Sequence, residues 1–391
     1  MKILLERKKL LDSIARVQAV VEKRNIMPIL EHVKIDISNN TIAFTTTDLD
    51  VTVRDEFKIN CLDEISFTVA VQQLYEIIKK LTKNEFIELN FDQIDNGQIG
   101  ISAGQSKVTI PCLNSYEFPS FETLIDFIEF KITSSELRKI FLKTRHAMSS
   151  GEMRYYLSGI HLKTDNNRLV AAATDVHRLA ISSIDKPINL NLDEGIIVPK
   201  KTVNEIIKMT DHLKDDEVLS INLSNNRISL QINNTTLISK LINAKYPNYS
   251  GIFSIKPNKR FSIEITELEN AVELASAIAD GKVKVVNLSL SGNLLTVSSD
   301  SNKDGKHSAV RQEISVESSI INDSDHMLDI NDSLNITFML NAKYLLDVLG
   351  VTVGPRIHFN ISNSNSPVII YDTADLSSQY ILMPMQIDTS I

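Results

Sequence analysis

The sequence is short of the residues that mark several classes of protein. Its 391 residues include no tryptophan, only 2 cysteines, 12 glycines and 10 prolines. Two cysteines are too few for a disulfide scaffold, and so little glycine and proline excludes a fibrous or low-complexity chain. A helix that spans a membrane needs about 20 consecutive apolar residues, and no apolar run approaches that length. The composition therefore predicts a soluble globular protein with no membrane partner.

The N-terminal segment and the cysteines indicate the cellular compartment. Charges at Glu6 and Arg7 interrupt the first apolar run before it reaches the length of a secretory signal. Cys61 and Cys112 both lie in apolar contexts, where a buried free thiol is the usual state in a reducing compartment. We expect a cytoplasmic protein.

Motifs for common catalytic chemistry are also missing. The sequence contains no Gly-x-Ser-x-Gly, His-Glu-x-x-His, P-loop or Cys-x-x-Cys pattern, so a nucleophile, a metal cage and a phosphate cradle lack their signatures. Asp175 and His177 are close enough in sequence to suggest general-base chemistry in a hydrolase. A polar turn at the rim of a cleft is the favoured interpretation of the same residues. We expect no enzyme, no metal site and no cofactor.

What the sequence does contain is a repeat. The same order of elements occurs three times at a spacing of about 130 residues. Apolar residues at helical spacing, such as Leu10, Ile14 and Val17, predict amphipathic helices. The first helix of each copy is predicted at 6–21, 134–149 and 266–279, and the second at 70–81, 200–210 and 341–349.

Runs of alternating apolar residues surround these helices. Each helix follows one β-rich run and precedes about three more, so the unit of strand, helix and three strands occurs six times. The aromatic-proline pairs Phe118-Pro119 and Tyr246-Pro247 look like linkers, and the polar stretch 322–333 looks like a surface loop. The domain boundaries expected from this pattern are 1–125, 126–250 and 251–391.

Such units predict an α+β fold in which two helices pack on one side of a sheet. Sheets of this kind can extend across domain boundaries, and a closed assembly would leave no unpaired edge strand. Twelve helices from two chains, about 10 Å each, would enclose an opening of about 28 Å. That opening exceeds the width of a DNA duplex, roughly 20 Å.

Charge is distributed unevenly along the chain. The formal net charge is −8, yet the first four predicted helices with their flanks each carry a net charge of +2 or +3. A basic helical surface on an acidic protein favours contact with nucleic acid at the helices alone. Lysine and arginine also suit any helix surface in solvent, so that simpler explanation stays open for each helix alone. The fifth helix breaks the pattern with Glu267, Glu269 and Glu273.

Several segments resemble one protein family along essentially the whole chain, in order. They are RYYLSGIHL from Arg154, ATDVHRLA from Ala173, VPKK from Val198, KYPNYSGIF from Lys245 and YILMPMQ from Tyr380. These segments are similar to those of the bacterial sliding clamp, the β subunit of the DNA polymerase III holoenzyme. The resemblance implies three similar domains per chain, a homodimeric ring with helices inside and sheets outside, and no catalysis. It also implies duplex DNA, the replicative polymerase, a clamp loader and other proteins with a clamp-binding motif as partners.

The resemblance further implies a cleft that binds an apolar peptide motif of the partners. Leucine, isoleucine, methionine and proline would line its apolar pocket. Val176, Gly251 and Gln386 depart from the residues usual in the family, which affects the expected motif preference. The implied cleft residues are Arg154, Leu157, Thr174, Val176, His177, Arg178, Leu179, Pro247, Gly251, Ile252, Asn341, Tyr344, Met383, Pro384 and Met385.

Contacts to DNA and to the second subunit follow from the same resemblance and from the basic helices. Tyr155 and Tyr156 are compatible either with stacking on bases or with ordinary packing. Sequence-independent binding is expected, because no recognition helix emerges. A conventional DNA-binding module without ring closure remains the alternative. The expected DNA contacts are Arg7, Lys8, Arg24, Lys80, Lys143, His146, Tyr155, Tyr156, Lys200 and Lys201, and the expected subunit contacts are Val108, Ile110 and Ile278.

Overall fold

The computed structural model describes residues 2–22, 27–82, 84–121, 124–185, 192, 194–303, 306–321, 327–328 and 334–386. The chain packs as two compact units, Met1–Leu137 with Lys201–Ile242 and Arg138–Lys200 with Asn243–Ile391. No helix among the described residues is both long enough and apolar enough to cross a membrane.

All six predicted helices are present. They are α1 (Arg7–Gln18), α2 (Val71–Lys80), α3 (Ser134–Thr144), α4 (Lys200–Thr210), α5 (Ile265–Ile278) and α6 (Ala342–Leu349). The third helix ends at Thr144 instead of continuing to residue 149. The Thr144 hydroxyl donates back to the Ile140 carbonyl at 2.6 Å, and a 3₁₀ turn, Arg145–Ala147, follows. A side chain that bonds to the backbone of its own helix favours such an irregular end.

The predicted β-rich runs form strands in each of the six repeats. From the N-terminus these are β1 (Lys2–Glu6), β2 (His32–Ser38), β3 (Thr41–Thr47), β4 (Val51–Lys58), β5 (Ile65–Ala70), β6 (Phe86–Asn90), β7 (Gln98–Ala103), β8 (Ser106–Pro111), β9 (Leu113–Asn114), β10 (Ile128–Thr133), β11 (Gly159–Asp165), β12 (Arg168–Thr174), β13 (Arg178–Asp185) and β14 (Ile196–Pro199). The remaining strands are β15 (Val218–Leu223), β16 (Arg227–Ile232), β17 (Thr235–Lys240), β18 (Lys259–Glu264), β19 (Val285–Ser291), β20 (Leu294–Lys303), β21 (Lys306–Ser315), β22 (Glu317–Ile321), β23 (Met327–Leu328), β24 (Asn335–Asn341), β25 (Arg356–Ile361), β26 (Val368–Asp372) and β27 (Ser378–Leu382).

The predicted loop at 322–333 lies outside the described residues except for β23, which pairs with β22.

Neighbouring repeats exchange their first strands. The strand before each helix pairs with the first strand after the other helix of the same pair, so β1 pairs with β6 and β5 pairs with β2. The same exchange joins β10 to β15 and β14 to β11, and then β18 to β25 and β24 to β19. This exchange ties successive repeats together two by two.

The third strands of the repeats extend the sheets further. In the first unit β4 pairs with β17, and in the second β13 pairs with β27, both antiparallel. The sheets that result contain nine and ten strands. The corresponding strands β8 and β21 are instead the outermost strands of two four-stranded sheets.

The core lies between helices and sheets, as the sequence periodicity predicts. On α1 the residues Leu10, Ile14 and Val17 are buried against α2 and the neighbouring strands. Cys112 is buried, and that burial raises the pKa of its thiol. Cys61 was expected to be buried and is instead half-exposed, because it lies just beyond the end of β4.

Candidate peptide-binding cleft and nucleic-acid interface

A tight turn between β12 and β13 forms the rim of the candidate cleft. Asp175 Oδ1 accepts hydrogen bonds from the backbone N–H of His177 at 3.0 Å and of Arg178 at 3.1 Å. The Thr174 hydroxyl donates to the Arg178 carbonyl at 2.6 Å and accepts from the Val176 N–H at 3.0 Å. The Asp175 carboxylate therefore organises a turn, which is the interpretation favoured from the sequence over a hydrolase. Val176 and His177 are left exposed at its tip.

Arg178 holds this turn against α6. Its Nε donates to Asp175 at 3.0 Å and its Nη1 to Asp347 at 2.6 Å. The guanidinium lies 4.1 Å from the centre of the Tyr344 ring. Arg178 is buried, so two carboxylates and an aromatic face take the place of the water that would otherwise hydrate its guanidinium. Burial first, and then the charge of Asp175, raises the pKa of the Tyr344 hydroxyl.

The chain segment after β27 runs past the same turn. The Met383 N–H donates to the His177 carbonyl at 2.9 Å, and the Met385 N–H donates to the Met339 carbonyl at 2.8 Å. Asn341 caps α6 through bonds from the N–H groups of Lys343 and Tyr344. Met383 is exposed, while Pro384 and Met385 are half-buried. The turn, α6 and the Met-Pro-Met segment thus meet at one place in the second unit.

The remaining expected cleft residues differ in exposure. Leu157 and Leu179 are buried, as suits the floor of an apolar site. Arg154, Pro247 and Gly251 are exposed, and Ile252 is half-buried. Among the described residues, no hydrogen bond or ion pair joins these four to the turn.

Tyr246, one of the expected linker aromatics, fixes the segment that carries Pro247. Its hydroxyl accepts from the Thr174 N–H at 3.0 Å, and its ring stacks on His161 with centroids 4.7 Å apart. Burial raises the pKa of Tyr246, and burial also lowers the pKa of His161. Tyr246 is therefore an anchor in the core and more than a linker residue.

His146 was expected to contact DNA, but its surroundings do not favour that contact. It is packed beside Tyr380, with ring centroids 5.7 Å apart. Burial, with a further contribution from the Arg178 charge, lowers the pKa of His146 to about 4. A neutral imidazole inside the protein has no charge to offer a phosphate.

Lys143 is a second expected DNA contact whose surroundings do not favour that role. Its side chain is 8% exposed, and its Nζ lies 3.6 Å from Asp372 and 3.7 Å from Asp375. It also donates to the Val351 carbonyl. Burial alone would raise the pKa of Asp375, but hydrogen bonds from Ser377 and Lys139 bring it to about 2. The charge of Lys143 is therefore neutralised inside the second unit by Asp372 and Asp375.

The other expected DNA contacts are only partly free. Lys201 is half-buried and pairs with Asp48 and with Glu22. Arg7 donates to the Ile78 and Lys79 carbonyls at the end of α2. The two carboxylates offset the charge of Lys201, and the two carbonyls hold the Arg7 guanidinium against the end of α2.

Lys8, Lys80 and Tyr155 are exposed, and Tyr156 meets Tyr155 edge to face at 6.0 Å. Lys200 donates to the Ser150 hydroxyl at 3.0 Å. Arg24 lies outside the described residues. The exposed residues Lys8, Lys80 and Tyr155 can still contact phosphates loosely.

The three residues expected at the subunit interface also differ in exposure. Val108 on the outermost strand β8 and Ile278 at the end of α5 are half-exposed. Ile110 is buried at 1% exposure, because alternate residues of β8 face the core of its own sheet. The Ile110 side chain therefore packs inside its own sheet, and its contact with a second subunit stays a prediction.

Two residues of the site were missed from the sequence. Asp347 lies three residues after Tyr344 on α6, so both face the same side, and that spacing was the available signal. Tyr246 was noted only as a linker residue. Its bond to Thr174 joins positions far apart in sequence, and no local pattern reveals it.

Val176 offers a direct test of the turn, because it has a φ of +83°. A β-branched residue is strained there, by about 1–3 kcal/mol, and glycine is not. The strain exceeds the extra unfolded-state entropy of glycine, about 0.5–1 kcal/mol. We expect Val176→Gly to raise the free energy of unfolding by about 1 kcal/mol in urea denaturation.

The neighbouring exposed residue supplies the control for this substitution. His177→Gly adds the same backbone freedom without relieving strain, so it should destabilise the protein by about 0.5–1 kcal/mol. Equal losses for the two variants would show that the turn is not strained at Val176.

Comparison with known families covers nearly the entire chain. Residues 1–122 match the N-terminal domain of the DNA polymerase III beta subunit, residues 131–248 its central domain, and residues 251–386 its C-terminal domain. The beta sliding clamp of Caulobacter vibrioides is 30% identical over 391 residues, which is 99% of this chain and 100% of that protein. The beta sliding clamp of Pseudomonas aeruginosa is 28% identical over 388 residues, with coverage of 99% and 100%.

Solved structures agree with the sequence matches. The DNA polymerase III subunit beta of Pseudomonas aeruginosa superposes with a TM-score of 0.88 at 27% identity, covering 99% of this chain and 100% of that one. The clamp of Bartonella birtlesii bound to griselimycin gives a TM-score of 0.88 at 27% identity with the same coverage. The Caulobacter crescentus beta sliding clamp gives 0.87 at 28% identity, again with coverage of 99% and 100%.

Proposed function

This chain belongs to the family of the DNA polymerase III β subunit, the bacterial sliding clamp, and on that premise we propose that two copies close into a ring around duplex DNA. The ring tethers the replicative polymerase and raises its processivity. It catalyses no reaction itself. Its grip on DNA is topological, so binding does not depend on the DNA sequence.

The observation that supports ring closure is the pairing of the third strand after each helix. β4 pairs with β17 and β13 pairs with β27, whereas β8 and β21 end their sheets. If β8 of one copy pairs with β21 of the other, all third strands have the same kind of partner. Two such joints per dimer leave no third strand unpaired and bring the end domains of two copies together, as a closed two-fold assembly requires.

The remaining assignments follow from this proposal. The domains are 1–125, 126–250 and 251–391, supported by the ranges of the three family matches. The cleft around Val176, Tyr344 and Met383 binds the apolar motifs of the polymerase, the clamp loader and other partners. Lys8, Lys80 and Tyr155 face the DNA loosely enough for sliding. The protein acts in the cytoplasm, where the bacterial chromosome is replicated.

Retention on circular DNA tests the proposal. After loading by the clamp loader, the protein should stay on nicked circular plasmid in about 0.5 M NaCl and leave the plasmid once it is linearised. Val108→Glu places a charge on the edge strand β8, so we expect a monomer by analytical ultracentrifugation and loss of retention on the circle.

The matched control is Val218→Glu, since Val218 is an exposed valine on β15, a strand with neighbours on both sides. This variant should remain dimeric and retained. Salt-sensitive binding of equal strength to circular and linear DNA would instead identify a conventional DNA-binding module, and a wild-type monomer at micromolar concentration would exclude the ring.

A further inference from the structure

The turn at the candidate cleft has a close copy in the first unit, between β3 and β4. The Thr47 hydroxyl donates to the Val51 carbonyl and accepts from the Leu49 N–H, both at 3.0 Å. Asp48 Oδ1 accepts from the N–H groups of Asp50 at 3.0 Å and Val51 at 2.7 Å. These are the same bonds that organise Thr174 to Arg178.

The side chain at the tip is also alike in the two turns. Leu49 has a φ of +78° and is 46% exposed, and Val176 has a φ of +83° and is 52% exposed. In each case an apolar side chain is held in the left-handed region, which is uncommon for residues other than glycine. Each turn leads into a third strand that pairs with the third strand of another repeat.

A cavity of about 440 Å³ opens beside the first of these turns. Leu49, Pro119, Phe121 and Ile238 supply apolar lining, and the positive charges of Arg227 and Lys240 outnumber the negative charge of Asp50. Its volume falls within the range of roughly 300–1,000 Å³ that small-ligand sites occupy. The Arg54 guanidinium lies 5.4 Å from the centre of the Phe121 ring and steadies that wall.

The surroundings repeat those of the cleft in the second unit. Pro119 follows the buried Phe118 as Pro247 follows the buried Tyr246. Lys240 ends β17, the partner of β4, while Leu382 ends β27, the partner of β13. The two sites therefore share an apolar turn tip, a proline after an aromatic anchor and the end of a paired third strand, but only the first carries a lysine at that strand end.

We propose that this groove is a second peptide-binding site, for a short extended segment that combines apolar side chains with a carboxylate. The apolar lining accepts leucine or phenylalanine, and Arg227 and Lys240 favour an acidic neighbour. Lys240 pairs with Asp50 at 3.1 Å, but both side chains are largely exposed, so a bound carboxylate displaces Asp50 at little cost. The inference rests on the proposed function, because it interprets the equivalent turn as a partner cleft.

A peptide titration on the full-length protein tests this site. The probe is a fluorescein-labelled pentapeptide, Glu-Leu-Glu-Leu-Phe, with Gln-Leu-Gln-Leu-Phe as its neutral counterpart. We expect two peptides bound per chain. Leu49→Ser should remove one binding event, and Lys240→Glu should weaken that event about tenfold for the acidic probe only.

Val176→Ser is the matched substitution in the other turn and separates the two proposals. It should weaken the second binding event and leave the event that depends on Leu49 intact. If Val176→Ser has no effect while Leu49→Ser does, the proposed partner cleft fails and the new site stands. The new site is overturned if Leu49→Ser removes no binding event, or if Lys240→Glu leaves the affinity for the acidic probe unchanged.

Discussion

Replacing Lys143 with methionine should lower the free energy of unfolding by about 3–5 kcal/mol, because it takes the cation from the buried Asp372 carboxylate and one of the two cations from Asp375. Asp372 is fully buried and Asp375 is 9% exposed, and the ammonium of Lys143 lies within 3.7 Å of both. Methionine keeps the length of the side chain but supplies no charge. Urea denaturation followed by circular dichroism measures the loss.

Lys139→Met is the control for this prediction. Lys139 pairs with Asp375 at 3.0 Å from the same helix, but its side chain is 38% exposed. Water can take its place, so we expect a loss of at most about 1 kcal/mol. If the two variants lose the same stability, burial of the Lys143 network is not what makes it important.

Acidification should destabilise the protein through His146 between about pH 6.5 and pH 4. The folded-state pKa of His146 is about 4, below its usual value of 6.5, first because the ring is buried and then because Arg178 is near. As the pH falls through this window, the unfolded chain takes up a proton that the folded chain refuses, so stability is lost. The shift corresponds to about 3 kcal/mol, complete above pH 6.5 and gone below pH 4.

His146→Leu should flatten this part of the profile of unfolding free energy against pH. Leucine also removes the imidazole Nδ1, a buried atom without a hydrogen-bond partner among the described residues. His177→Gln is the control, since His177 is exposed at the turn and its loss should leave the acid slope in place. An unchanged slope in His146→Leu would mean that other groups account for the acid sensitivity.

The sequence predicted the helices well because their signal is local. Leu10, Ile14 and Val17 repeat at the spacing of one helical face, and that face is the buried one. The turn at Thr174 to Arg178 was equally accessible, since a threonine and an aspartate bond to the backbone only a few residues away.

The expected DNA contacts were less reliable for a physical reason. The local sequence does not distinguish a helix lysine that faces solvent from one that faces a carboxylate in a distant loop. Lys8 remains exposed, whereas Lys143 meets Asp372 and Asp375, which come from the far end of the chain. Burial of Ile110 and of His146 likewise depends on neighbours that composition and spacing do not reveal.

The sequence by itself determined the number of repeats, the position of each helix and the family, because periodicity and short motifs are properties of adjacent residues. Only the tertiary structure decided which strands exchange between repeats, which third strands are left at an edge, and which cations are neutralised. Those outcomes depend on contacts between residues that lie far apart in the sequence, such as Lys2 with Asn90 and Lys143 with Asp375. Pairing at that distance is selected by the packing of the whole chain and leaves no pattern in any single segment.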